Sequence, residues 1–205
     1  QKSFNISVDV YPIDLSLNSS AELLSNFCDK VDILINNAGA IPPGNISEIN
    51  ENIWRDAWNL KVFGYINLSR LIYSKMKLSK NGVILNIIGS AGQKPMYNYI
   101  AGTTGNASLM AFTKALANGS FEHGVRVLGI NPGLTTSDRL ITMMQSQAQE
   151  KLGDPSRWKE LLKDLPFGRA AKAEEVADLA TFLCSPRCDY VSGTIITIDG
   201  GASNH

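Results

Sequence analysis

Histidine and cysteine are scarce in this chain: His123 and His205 are the only two of the former, and Cys28, Cys184 and Cys188 the only three of the latter, among 205 residues. Cys184 and Cys188 are spaced to meet on one helix, but one further thiol and two distant imidazoles make no metal-ligand pattern, so no zinc site is expected. Thiols this sparse suit a reducing compartment, and cytoplasmic placement is the expectation. An excess of charge is lacking too. Nineteen acidic side chains balance nineteen basic ones without runs of one sign, which removes the field that would draw nucleic acid or an anionic membrane surface. No apolar run approaches the roughly 18 to 20 residues of a membrane span, and the first residues show no signal-peptide pattern. No repeat, low-complexity tract or linker interrupts the chain, so residues 1–205 read as one domain.

What is present is alternation. Runs rich in Val and Ile at 6–11, 31–36, 82–88, 125–131 and 194–199 each end in polar, Gly or Pro residues, as buried strands do. Helical patterns lie between them at 20–28, 51–78, 99–117 and 173–184. In the last, Val176, Ala177, Leu179, Ala180 and Leu183 form one apolar stripe. Residues 137–167 are amphipathic but broken by Gly153, Pro155 and Pro166, which predicts short helices in a mobile flap. The alternation predicts an α/β architecture: a Rossmann-like, doubly wound parallel sheet in three αβα layers. Such a fold opens with a strand, a Gly-rich turn and a helix that receives a pyrophosphate, yet no glycine cluster precedes Asp14. The strand at 31–36 would then keep an unpaired buried edge at high cost. The expectation is a further N-terminal βαβ segment outside this sequence, or another chain that rebuilds it.

Five ordered landmarks then resemble the short-chain dehydrogenase/reductase family across nearly the whole chain: Asp14-Leu15, Asn36-Asn37-Ala38-Gly39, Trp58-Asn59-Leu60, Asn131-Pro132-Gly133 and Asp199-Gly200-Gly201. The resemblance implies that Asp14 and Leu15 lie against an adenine. It implies that Asn37, Ala38 and Gly39 admit the ribose side of a dinucleotide, the small residues allowing close approach. Pro132, Gly133 and Thr135 would meet the nicotinamide amide, and Asn59 would anchor a water for proton relay. The cofactor implied is NAD or NADP, the substrate a small molecule with a CH–OH or C=O group, and the assembly a homodimer or homotetramer built on the two long helices.

The centre departs from the family's pattern. There a serine lies thirteen residues before a tyrosine, and a lysine follows that tyrosine by four. That spacing puts the ammonium and the phenol on one helix face, where the charge favours the phenolate. Here those positions are Gly89, Gly102 and Asn106. The chain thus resembles a divergent branch in which the acid and its cation are replaced. Ser90, one residue on, is a candidate for the lost serine. Tyr99 is a candidate for the lost acid, its hydroxyl able to reach into the space above Gly102. A plain turn serine and a tyrosine packed at a helix start are the structural alternatives. Asn106 can hold a ribose hydroxyl as a neutral group. Lys61 and Lys94 read as solvated surface residues, and Lys114 is too far along its helix to substitute. Three functions remain: an oxidoreductase with an altered proton relay, a nucleotide-binding protein or partner subunit without turnover, and a cofactor-independent lyase or isomerase. Leu140, Ile141, Met143, Met144, Leu161 and Leu162 in the flap point to a hydrophobic or aromatic substrate.

Overall fold

Stretches dominated by Ile, Val and Leu pair into one four-stranded parallel sheet, in a computed structural model that describes residues 6–204. The strands are β1 (Ile33–Asn36), β2 (Gly82–Ile87), β3 (Val125–Pro132) and β4 (Ile195–Ile198), lying side by side in that order. The register sets Ile33 beside Val83, Gly82 beside Val125 and Gly129 beside Ile195. Parallel neighbours require crossovers, and helices supply them on both faces. Ile84, Val125 and Val127 point to one face, where they meet Leu68, Ile72 and Met76 of α3 (Gly64–Ser79) and Ala117 of α4 (Ile100–Ser120). Ala21 of α1 (Asn18–Asn26) joins that layer. The alternate residues Val83, Leu85, Leu128 and Ile130 pack instead on Ala180 and Leu183 of α6 (Ala173–Cys184). The three-layer α/β architecture therefore follows from side chains of β2 and β3 alternating between the two covered faces.

The long helical pattern at 51–78 is one rod with a defect. It comprises α2 (Glu51–Trp58), a π-helical stretch Asn59–Phe63, and α3. Asn50 starts it by accepting the Ile53 amide, and Lys80 ends it in the left-handed region at φ 50°. The wide turn rotates the residues it contains relative to the α-helical faces on either side, and such turns concentrate at functional sites.

The expected strand at 6–11 does not form. No strand among the described residues lies beside it, so its backbone groups have no ladder to join. Ile6, Val8 and Val10 are exposed, and Tyr11 stacks on Phe27 with ring centroids 4.1 Å apart. Asp14 and Leu15 accordingly lie in a loop rather than at a strand end. Among the described residues β1 pairs with β2 alone, leaving Ile33 and Ile35 half exposed. No helix among the described residues is long and apolar enough to cross a membrane.

Buried asparagines tie the strands to their helices. Asn36 of β1 donates to Asn86 Oδ1 of β2 (2.8 Å) and to Ser69 Oγ of α3 (3.0 Å). Asn86 donates to Thr113 Oγ1 of α4 (3.0 Å), and Thr113 donates to the Leu109 carbonyl (2.7 Å). Every one of these residues is buried, so removing one member strands its partners away from water. Asn86→Ala is expected to lower the unfolding free energy by about 2 to 4 kcal/mol. A urea midpoint unchanged from the parent would refute a structural role for this chain of bonds.

Candidate active site

Ligands of open α/β sheets sit beyond the carboxyl ends of the strands. Here that end is walled by the loop from Gly39 to Gly44, the Ile88–Ser90 turn after β2, the start of α4, and the Pro132–Thr135 connection into α5 (Asp138–Leu152). Loop and helix are stitched by Gly44 N–H to the Asn98 carbonyl (2.8 Å) and Ile100 N–H to the Gly44 carbonyl (3.2 Å). A shallow hollow of about 630 Å3 beside Asp32, Asn81, Arg126 and Tyr190 lies at the opposite, amino ends of the strands. The position of the ladder thus selects the carboxyl-end cleft.

The glycines in this cleft are spoken for. Gly89 has φ +139°, a region that side-chain-bearing residues rarely adopt, and a Cβ there would lie 2.8 Å from Asn106 Nδ2. A Cβ on Gly102 would meet the Tyr99 ring at 2.1 Å. The Tyr99 ring therefore fills the volume directly over Gly102. Its backbone precedes α4 and its carbonyl accepts the Thr103 amide (2.8 Å), while the ring packs on the cluster of Ile41, Ile49, Ala57 and Ala101. No described residue hydrogen-bonds its hydroxyl. Burial pushes the Tyr99 phenol above its ordinary range, and the nearby Arg139 guanidinium partly offsets that. Asn106 is 3% exposed, and its Oδ1 has no partner, an unsatisfied acceptor at the floor of the cleft.

Two cations border the same space, and sequence reasoning placed neither in it. Lys61 is not a solvated surface residue. It lies on the π-helical stretch, runs past Gly39, whose Cβ would sit 3.0 Å from its Cδ, and donates to the Ile88 carbonyl at 2.5 Å. Burial pushes its ammonium down to about 8, and the charge of Arg139 adds to the effect. Lys61 and Asn106 thus address the single Ile88–Gly89 link from two different helices. Arg139 reaches from the first turn of α5 to the Ile41 carbonyl (3.1 Å), two residues beyond Gly39. The only sequence signal for Lys61 was its place two residues after Asn59. A lysine and an arginine on amphipathic helices otherwise look like ordinary solvated charges.

Of the other expected residues, Asn59 opens the π-helical stretch, and its carbonyl accepts the Gly64 amide. Ser90 begins a 3-10 turn, half-buried, and its carbonyl accepts from Gln93 and Lys94. Asn37, Ala38 and Gly39 leave the end of β1 into the cleft loop. Pro132 ends β3, and Gly133 permits close approach to β4, since a Cβ would lie 2.7 Å from that of Asp199. Thr135 bonds back to the Gly133 carbonyl (3.1 Å) and bridges to Ala171. Asp14 is exposed and accepts the Ser16 amide (2.9 Å), and the Leu15 carbonyl abuts Gly64 at the end of the π-helical stretch. The flap's apolar pattern is largely internal: Leu140, Met144 and Leu162 are buried together, with Leu161 and Trp158 against them. That packing accounts for Leu140, Met144, Leu161 and Leu162, while Ile141 is half-buried and Met143 is exposed.

Comparison with known proteins gives one family. The model described as "Enoyl-(Acyl carrier protein) reductase" matches residues 2–203. A 7alpha-hydroxysteroid dehydrogenase of Escherichia coli is 31% identical over 185 residues, 90% of this chain and 69% of that protein. A 2-dehydro-3-deoxy-D-gluconate 5-dehydrogenase of Dickeya dadantii is 32% identical over 173 residues, 84% of this chain and 65% of that one. An L-sorbose reductase of Gluconobacter frateurii, solved with NADPH and L-sorbose, superposes with a TM-score of 0.90 at 27% identity, covering 97% of this chain and 78% of the other.

Two outcomes follow from this geometry. Gly102→Ala is expected to cost about 1 to 3 kcal/mol by displacing the Tyr99 ring, and most of that cost should vanish in a Tyr99→Ala background; additive losses in urea unfolding would contradict the contact. Lys61→Met is expected to stabilise the protein by about 1 to 3 kcal/mol below pH 8. Because the folded pKa of Lys61 is about 8 against 10.5 ordinarily, the penalty is full below pH 8. It fades as pH rises toward 10.5, so the two proteins should converge there. A pH-independent difference would speak against a charged, desolvated Lys61.

Proposed function

The chain belongs to the short-chain dehydrogenase/reductase family, and from that membership we propose that it is an oxidoreductase in which Tyr99 is the proton donor. The observation that carries this reading is the Tyr99 ring over Gly102, with its hydroxyl free. A nicotinamide dinucleotide, NAD or NADP, supplies or accepts the hydride when bound. The chain fits such a group at two places. The unpartnered Asn106 Oδ1 is an acceptor for a ribose hydroxyl, and Asn37, Ala38 and Gly39 offer a loop without bulky side chains. Pro132, Gly133 and Thr135 would hold the nicotinamide amide through backbone and hydroxyl groups.

The protein's own part is proton supply and positioning. Burial keeps Tyr99 a phenol at neutral pH, so it can give its proton to the oxygen of a carbonyl as that oxygen gains charge. Arg139 lies near enough to favour the phenolate left behind, the task a lysine at position 106 would otherwise perform. In this reading Ser90 orients the substrate oxygen, and Asn59 holds a water through which Tyr99 is reprotonated. The same reading places the protein in the cytoplasm as a homodimer or homotetramer assembled through the α2–α3 rod and α4.

NADH and NADPH oxidation against a panel of small carbonyls tests this. The parent should turn over at least one compound, and Tyr99→Phe should lose about 10² to 10⁴ of the rate. Tight cofactor binding without any hydride transfer would replace this reading with the second, a nucleotide-binding protein, which the neutral Asn106 favours.

A further inference from the structure

We propose that Lys61 and Arg139 together receive a carboxylate on the substrate, so that the protein acts on small oxo or hydroxy acids. This rests on the oxidoreductase reading for the reaction but not for the binding. Lys61 lies against Gly39, and Arg139 holds the Ile41 carbonyl, so two positive groups flank a three-residue stretch of one loop. Neither takes part in any of the five ion pairs among the described residues. Each donates to one backbone carbonyl only, leaving two N–H groups of the ammonium and most of the guanidinium fork without a described partner.

Like charges held close and partly desolvated raise each other's cost, and an anion in the same space repays it. Burial is the larger cause of the lowered Lys61 ammonium, and the Arg139 charge adds to it. A planar carboxylate suits the guanidinium fork and leaves the ammonium free to take the second oxygen. Arg139 also bears on Tyr99, whose hydroxyl would then act on an oxygen carried close to the carboxylate. Three of the flap's apolar residues, Leu140, Met144 and Leu162, are turned into its own core and so are not available to an apolar ligand. A phosphate is the other source of such an anion. The nicotinamide side of the cleft, marked by Asn106 and Tyr99, favours the substrate over a cofactor phosphate.

The test is titration calorimetry of the purified protein at constant ionic strength with oxalate, with the uncharged oxamide and with inorganic pyrophosphate. Oxalate should bind and oxamide should not. Arg139→Gln and Lys61→Met should each weaken oxalate at least about tenfold, while Arg139→Lys, which keeps the charge, should weaken it less. Circular dichroism of each variant confirms the fold. Equal binding of oxamide, oxalate binding indifferent to both substitutions, or no oxalate binding would overturn the proposal. Tighter binding of pyrophosphate with the same dependence on Arg139 would overturn it in favour of a cofactor phosphate. No turnover enters the measurement. Oxalate binding without hydride transfer keeps the anion site and sinks the redox reading, whereas turnover of neutral ketones without oxalate binding does the reverse.

Discussion

The buried bond from Asn36 to Asn86 is the constraint on which the cleft depends. It joins β1 to β2 at their carboxyl ends, and its extensions to Ser69 and Thr113 clamp α3 and α4 onto those same ends. Asn131, fully buried on β3, continues the row by accepting the Gly89 amide at 3.4 Å. Side chains with both donors and acceptors can satisfy each other away from water, whereas apolar residues at these positions would pack without fixing a register. The Gly39 loop, the Ile88–Gly89 link and the first turns of α4 therefore stand at fixed distances.

On that frame the space at positions 89 and 102 is filled by neighbouring residues. Gly102 provides room, and Tyr99 fills it from three residues earlier. Gly89 adopts a backbone that a serine would resist, and Asn106 closes over it. A positive charge is absent from position 106, yet the cleft is not without cations, because the π-helical stretch turns Lys61 inward and α5 delivers Arg139. One wide helical turn and one capped flap helix are enough to reroute two charges. Ser137 fixes the second by accepting the Leu140 amide at 3.2 Å, which sets where Arg139 begins.

Legibility in the sequence followed period and punctuation. The helix at 173–184 has the expected bounds and packs Val176, Leu179, Ala180 and Leu183 of its stripe on the sheet while Ala177 stays exposed, and the four strands match the Ile- and Val-rich runs from 31 onward to within two residues. The run at 6–11 reads equally well but stays unpaired, because a strand is a relation between two stretches of backbone and no described strand lies beside it. Tyr99 was legible because three residues of helix separate it from Gly102. Lys61 was not, since its direction depends on a wide turn that no residue pattern marks, and nothing local distinguishes a desolvated lysine from a wet one.

By itself the sequence determined the layered α/β class, the family and the flap's broken helices, all of which are properties of spacing along the chain. Tertiary structure alone decided that the Tyr99 ring occupies the space over Gly102, that Asn106 keeps an unpartnered oxygen, and that Lys61 and Arg139 border one loop. In these meetings Lys61 reaches Ile88 across 27 residues of sequence and Arg139 reaches Ile41 across 98. Their outcome depends on packing and desolvation, which no local pattern encodes.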